Sequence, residues 1–283
     1  MGYMKKLFNR LLVIAVLFFS STIHAQSDST SEKDKAQFKL GVFYNSHLNY
    51  YGRTDSLRSS GVFPLAELWF TKNFYVNAAP VFVNNASINM QYAGTVATIG
   101  YQFNEPNKWS GNFYFVKPFY KDNSQLVQSA LKAQAAFTLT KPTKVINITG
   151  GSDIKFSDKI DYGVTGGLDH IFRHQFDDQS VLVIDPSAYV FAGTQQFTKS
   201  YYTKSNFLLF PGAQQLVSED VKNFNILSYE FSMPVIFSKG KFMAMAIPTY
   251  VLPQNLITVP GRPDLSERGK NMFYVTVGAK IVL

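Results

Sequence analysis

The residues that could carry chemistry are few. Downstream of the N-terminal segment the chain has three histidines, His47, His170 and His174. A hydrolase needs a nucleophile and a base within hydrogen-bond reach. In "NSHLN" (45–49) Ser46 and His47 are adjacent, and adjacent side chains on a strand face opposite sides. That spacing predicts that they do not share a proton. "LDHIFRH" (168–174) puts His170 on the apolar parity, and no His-x-Ser occurs. "GTVATIG" (94–100) has no phosphate-loop context, and "NITGGSD" (147–153) reads as a polar rim. No His, Asp and Glu spacing suggests a metal, and the absence of cysteine removes disulfides, thiolate ligands and a Cys nucleophile. The expectation is no enzyme, no cofactor and no metal.

Charge is the second possible source of function. Propagating side-chain parity from the most regular strands places Lys39, Glu67, Lys132, Asp153, Lys155, Asp169, Arg173, Asp185, Glu230 and Lys280 on the polar side of their segments. Five are cations and five are anions. An ion-selective wall would carry an excess of one sign. A balanced set predicts pairing across an enclosed space, because an unpaired buried charge is costly. Two readings follow: a largely filled interior, or a narrow polar channel between the pairs. Net charge is +8, of which Lys5, Lys6 and Arg10 supply three, leaving about +5 without any basic cluster. Nucleic acid is therefore not expected as a partner.

The elements that position these residues are strands. "LSYEFSMPVIF" (227–237) sets Leu227, Tyr229, Phe231, Met233, Val235 and Phe237 against Ser228, Glu230, Ser232 and Pro234. "FKLGVFYNSHLNYY" (38–51), "LVQSALKAQAAFTLT" (126–140) and the C-terminal "MFYVTVGAKIVL" alternate likewise. Tight polar breaks fall at 71–73, 104–108, 141–143, 177–179 and 238–241. Generally longer breaks lie between them at 52–61, 84–91, 121–125, 150–158, 195–225 and 254–270. Counting between breaks gives about twelve strands. Aromatics make up 16% of the chain, 26 Phe and 16 Tyr against 2 Trp, and gather beside the tight turns, as Trp69, Phe70, Phe74 and Tyr75 do. The polar faces hold Ser, Thr, Gly, Asn, Gln and Tyr rather than Lys and Glu, which favours a lipid surround over a soluble β-sandwich.

These patterns predict an all-β fold, an antiparallel transmembrane β-barrel of about twelve strands with short periplasmic turns and longer extracellular loops. Residues 272–283 are expected to close it against the strand beginning at Phe38, so that no edge is left unpaired in lipid. The basic "MGYMKKLFNR", the apolar "LLVIAVLFF" and the small Ala25 predict a signal peptide over 1–25. A flexible segment is expected over 26–37 and the barrel over 38–283.

The cut before Gln26, the Cys-free aromatic-rich strands and segments such as "FAGTQQF" (191–197) and "SYEFSMPVIFSKGKFMAMAIPTYVLPQN" (228–255) resemble outer-membrane β-barrel proteins of the Bacteroidota type. Leu283 departs from the aromatic residue on which many such barrels end. The resemblance implies a fold and an outer-membrane location, not an activity. The expected role is passive, a narrow channel or a plugged barrel serving transport or as a scaffold. Outer-membrane lipid is the expected surround. The alternative is an interaction component of a larger complex, meeting another outer-membrane or periplasmic protein through 195–225, where "FLLFPG" (207–212) lies. A lipid-modifying enzyme is the third reading.

Overall fold

A strand with one apolar and one polar face has to bury or solvate each face differently, and its unpaired backbone edge has to find a neighbour. In this chain both demands are met by closure. The computed structural model describes residues 36–105, 108–121, 130–196, 223–258 and 266–283. It is a closed antiparallel barrel of twelve strands. They are β1 (Gln37–Asn45), β2 (Ser60–Trp69), β3 (Phe74–Asn84), β4 (Gln91–Asn104), β5 (Ser110–Tyr120), β6 (Ala133–Lys141) and β7 (Asn147–Phe156). Then follow β8 (Ile160–Asp169, resuming as Phe172–Gln175), β9 (Ser180–Ile184, resuming as Ser187–Gly193), β10 (Asn225–Ser232, resuming as Val235–Lys239), β11 (Phe242–Pro253) and β12 (Met272–Val282).

Each strand pairs with its sequence neighbours, and β12 returns to β1 with Lys39 opposite Val282 and Asn45 opposite Thr276. The Leu283 amide donates to the Phe38 carbonyl at 2.9 Å and continues that seam. Phe43 of β1 faces Gly278 of β12. Its ring lies where a β-carbon of residue 278 would be, so only glycine lets the first and last strands meet at this level.

Side-chain direction follows the period of two. Phe38, Leu40, Val42 and Tyr44 of β1 and Phe273, Val277 and Ile281 of β12 are exposed on the outer surface. Tyr162, Val164 and Leu168 of β8 and Tyr229 and Phe231 of β10 continue this apolar exterior. The intervening residues point inward. Among the described residues the buried apolar cluster is small, Val81, Val83 and Ala93 with Leu48, Phe63, Ile88, Val96 and Tyr120 packed on it.

Prolines mark where the ladder lapses. β8, β9 and β10 are each interrupted, at 170–171, 185–186 and 233–234. There the His170, Asp185 and Met233 amides donate to the carbonyls of Pro186, Pro234 and Pro248 on the next strand. Proline has no N–H to return the bond. Pairing of β2 with β3 also lapses between Val62–Phe82 and Ala66–Ala78, the stretch that holds Pro64 and Pro80.

Five tight connections, 70–73, 105–109, 142–146, 176–179 and 240–241, share one end of the barrel, as the alternation of breaks predicts. The opposite end differs from the sequence reading in three places. β1 stops at Asn45 rather than Tyr51, so its loop is 46–59. The expected break at 150–158 is mostly strand: Gly150 and Gly151 pair with Leu139 and Thr138 of β6, and the connection is only 157–159. β6 starts at Ala133. The segments 1–35 and 197–222, which include the expected signal peptide and most of the expected partner loop, lie outside the described residues.

Candidate functional site: the polar lumen and the loops that close it

At the tight-turn end, β1, β2 and β12 bring three charges together. Lys39 lies directly across from Glu67 in the pairing of β1 with β2. Lys280 Nζ is 3.2 Å from Glu67 Oε1, and Lys39 Nζ is 4.0 Å from the same oxygen. The Trp69 indole donates to that oxygen as well, at 2.8 Å. Lys39 also stands 4.4 Å over the Trp69 ring, and Trp69 packs on Tyr75 at 4.8 Å. One carboxylate therefore serves two cations.

At the long-loop end, Asp153 and Lys155 pair on the same face of β7. Lys155 is buried and stands 5.8 Å over the Tyr51 ring. Asp153 occupies the space above Gly163 on β8, where any side chain would collide with the carboxylate. Asp161, fully buried, accepts from the Thr194 hydroxyl at 2.5 Å and from the Gln196 amide at 2.7 Å. The parity set does not include Asp161. With the turn confined to 157–159 it belongs to the wall.

The remaining acids of the inner face are not ion-paired with described residues. Asp169 accepts from the Asn147 amide at 2.6 Å, and Glu230 from the Ser228 hydroxyl at 3.2 Å. Asp185 Oδ1 is buried without a hydrogen-bond partner among the described residues. Arg173 is exposed close to the tight-turn end. Lys132 differs from its expected place: it precedes β6, is more than half exposed, and pairs with Asp158 at 2.8 Å on the long-loop rim. Pairing thus runs along the wall, between residues on the same or neighbouring strands, not across the lumen as the balanced count predicts. A strand face sets next-but-one residues and cross-strand partners close together, whereas the opposite wall is a barrel diameter away.

The first long loop, 46–59, holds the most buried charge. Arg53 is fully buried. Its Nε donates to Glu267 Oε2 at 3.1 Å, and its terminal nitrogens donate to the carbonyls of Tyr51, Leu227 and Gln254 at 3.0–3.1 Å. All three guanidinium nitrogens are engaged, which offsets the desolvation of the charge. The Thr54 amide donates to the Arg268 carbonyl at 2.8 Å, tying this loop to the last long loop, 254–271. Tyr51 packs on Phe191 of β9 at 5.0 Å, so the loop's two tyrosines lie against the inner wall. The sequence signal was the Tyr-Tyr-Gly-Arg run, whose aromatics also fit a continued strand. Gly52, at φ +75°, is where the backbone turns back.

Two histidines depart from the expectation or occupy the outer wall. Because β1 ends at Asn45, Ser46 and His47 sit on a bend, and Ser46 Oγ lies 3.3 Å from His47 Nδ1, contrary to the strand-based prediction. The hydroxyl is already committed to closure: it accepts the Val275 amide of β12 at 2.9 Å. His170 Nδ1 contacts the Val145 carbonyl, and its ring meets Phe172 edge-on at 4.3 Å.

The two loops enclose a cleft of about 580 Å³ at the long-loop end, lined by His47, Asp55, Arg58, Arg268 and Lys270 among others.

No protein-family model and no curated protein matches the chain. Among solved structures it is similar to an outer membrane channel from Pseudomonas putida F1, with 11% identity, 92% of this chain and 100% of that chain covered, and a TM-score of 0.47. It is similar to the KdgM porin at 8% identity, 86% and 98% coverage, and a TM-score of 0.46. It is also similar to LpxR from Salmonella typhimurium at 8% identity, 86% and 99% coverage, and a TM-score of 0.43. The fold rests on this chain's own strand pairing: it is a closed, twelve-stranded antiparallel β-barrel.

Proposed function

We propose that this is an outer-membrane barrel, of the Bacteroidota type its sequence resembles, with a passive, non-enzymatic role in the passage of small polar solutes. Its lumen is narrowed at the outer end by the first and last long loops. The observation that carries the reading is Arg53, fully buried between those loops and bonded to Glu267. A loop fixed this way shapes a lumen rather than waving above it. The membrane setting is supported by the exposed apolar rows of β1 and β12, which water would not favour over so large a continuous area. Trp109 is exposed next to the tight-turn end with Lys141 over its ring at 5.6 Å, an arrangement suited to a membrane interface.

Conductance in planar bilayers tests the role. The parent should pass a small current, and Arg53→Ala, which frees the first loop, a larger one. A folded barrel that conducts in neither form is a scaffold, not a channel. Membrane fractionation tests the location: the protein should resist alkaline extraction, and recovery in a soluble fraction refutes it.

A further inference from the structure

We infer that the cleft between the first and last long loops binds a small multivalent oxyanion. Its cations come from both loops: Arg58 from the first, Arg268 and Lys270 from the last, all three exposed. Arg58 and Lys270 make no ion pair with any described residue. Both acids of the same cleft are engaged within the protein, Glu267 through Oε2 while its Oε1 is buried without a hydrogen-bond partner among the described residues. Glu267 accepts from Arg53 and from the Ile257 amide at 3.0 Å. Asp55 accepts the Leu57 and Ser59 amides at 2.8 and 3.2 Å. Arg58 and Lys270 therefore face the space as exposed cations beside Arg268, which has an interaction of its own, against two carboxylates, Asp55 turned to its own loop and Glu267 paired with Arg53.

The backbones that carry the cations are tied to each other. Buried Arg53 bonds the two loops, and a β-carbon at residue 269 would stand only 3.0 Å from the Gly52 carbonyl, so the loops touch backbone to backbone. A site whose charges need little reorganisation spends less on binding. A volume of about 580 Å³ suits an organic anion rather than a lone halide. Further in, Asp169, Asp185 and Glu230 carry no paired cation among the described residues. That stretch repels anions, so the site holds its ligand at the mouth. The inference rests on the proposed channel only for the side from which solute arrives.

The test is calorimetric titration of the full-length protein, refolded in detergent, with citrate, pyrophosphate and glucose at low ionic strength. Citrate or pyrophosphate should bind and glucose should not. The tighter of the two tells a carboxylate site from a phosphate site. The double variant Arg58→Gln, Lys270→Gln should weaken binding about tenfold or more, since each loses a charge-assisted contact. Lys108→Gln, at the far end of the barrel, should bind as the parent does. Both altered cleft residues are exposed, and heat-modifiable gel mobility confirms that the variants fold. The inference falls if neither anion binds, if glucose binds equally, or if the double variant matches the parent. A barrel that binds citrate but passes no current keeps the site and loses the channel.

Discussion

Arg53 and Glu267 stand 214 residues apart in sequence and meet at 3.1 Å with side chains 0% and 2% exposed. One belongs to the loop after β1 and the other to the loop before β12, the two strands that close the barrel. The pair therefore bolts the loops together directly above the closing seam. Removing one member leaves the other charged, buried and unpaired, which costs about 3–5 kcal/mol. Glu267→Leu should lower thermal stability in lipid by that order. Arg53→Met with Glu267→Leu should recover much of it, because an apolar pair of similar volume carries no desolvation penalty. A double variant as unstable as the single one would show that the carbonyl bonds of Arg53, not its charge pair, hold the loop.

Gly278 should tolerate nothing larger. Phe43 fills the place of its β-carbon with the root of its ring, which cannot swing away as a chain end could. Gly278→Val forces the ring off its rotamer or opens the seam, at about 1–3 kcal/mol of overpacking. Refolding yield by gel mobility should fall. Phe43→Ala in the same chain should restore it.

Glu67 and Glu230 look alike in sequence, each an acid on the polar side of a strand, yet their substitutions should differ. Glu67→Leu strands Lys39 and Lys280, whose ion pairs among the described residues are both with it, and should cost about 3–5 kcal/mol. Glu230 bonds only the Ser228 hydroxyl among the described side chains, so Glu230→Leu should cost no more than about 1–1.5 kcal/mol. Equal losses in thermal unfolding would mean that Glu230 too is paired.

These two acids show what the sequence makes legible. Parity assigns Glu67 and Glu230 to the polar face because each lies in an unbroken alternation, and places Asp153 and Lys155 there too although they fall in the expected break at 150–158. Partners are another matter, since parity says which face a residue takes and not which neighbour it meets. The errors have a common cause as well. Tyr50 and Tyr51 continue the alternation of β1, so nothing local shows the chain leaving the wall at Asn45. Gly150 and Gly151 look like a loop, because their pairing with β6, and the space Gly151 leaves for Thr138, are visible only once β6 lies beside them. Arg53 looks like any loop cation, since its acid is supplied from the far end of the chain.

The turn joining β8 and β9 should be acid-sensitive. The Gln179 amide, and then the Ser180 hydroxyl, hold the Asp177 carboxyl below its ordinary range. A depressed carboxyl stabilises the fold above the ordinary aspartate value, about pH 4, and that contribution is lost as pH falls through the depressed one. Carbon-detected titration of Asp177 should show a midpoint below that of a free aspartate. Asp177→Asn should leave the turn's amide signals unchanged over the same pH window, and a parent whose Gln179 amide does not shift on acidification would refute the bond.

The face of β12 decides between lipid and water. Val277 is 41% exposed on the outer wall, opposite Tyr44 on β1 and Ala246 on β11. In a soluble barrel an exposed valine can become arginine at almost no cost, because the new charge is hydrated. In hydrocarbon the same change costs about 2–4 kcal/mol near the bilayer midplane. Five residues of β12 flank Val277 on each side, so it lies at the middle of the strand. Thr276, one residue away, faces inward and receives the Asn45 amide at 3.2 Å. Thr276→Arg gives up that bond but keeps its charge in a polar lumen, so it should cost about 0.5–1.5 kcal/mol. Met233→Leu, on the outer face of β10, should cost less than either, since volume and polarity are conserved. The order Val277→Arg worst, Thr276→Arg intermediate and Met233→Leu mildest should appear in heat-modifiable mobility after refolding into lipid vesicles. If Val277→Arg refolds as well as Met233→Leu, water and not lipid bathes that face.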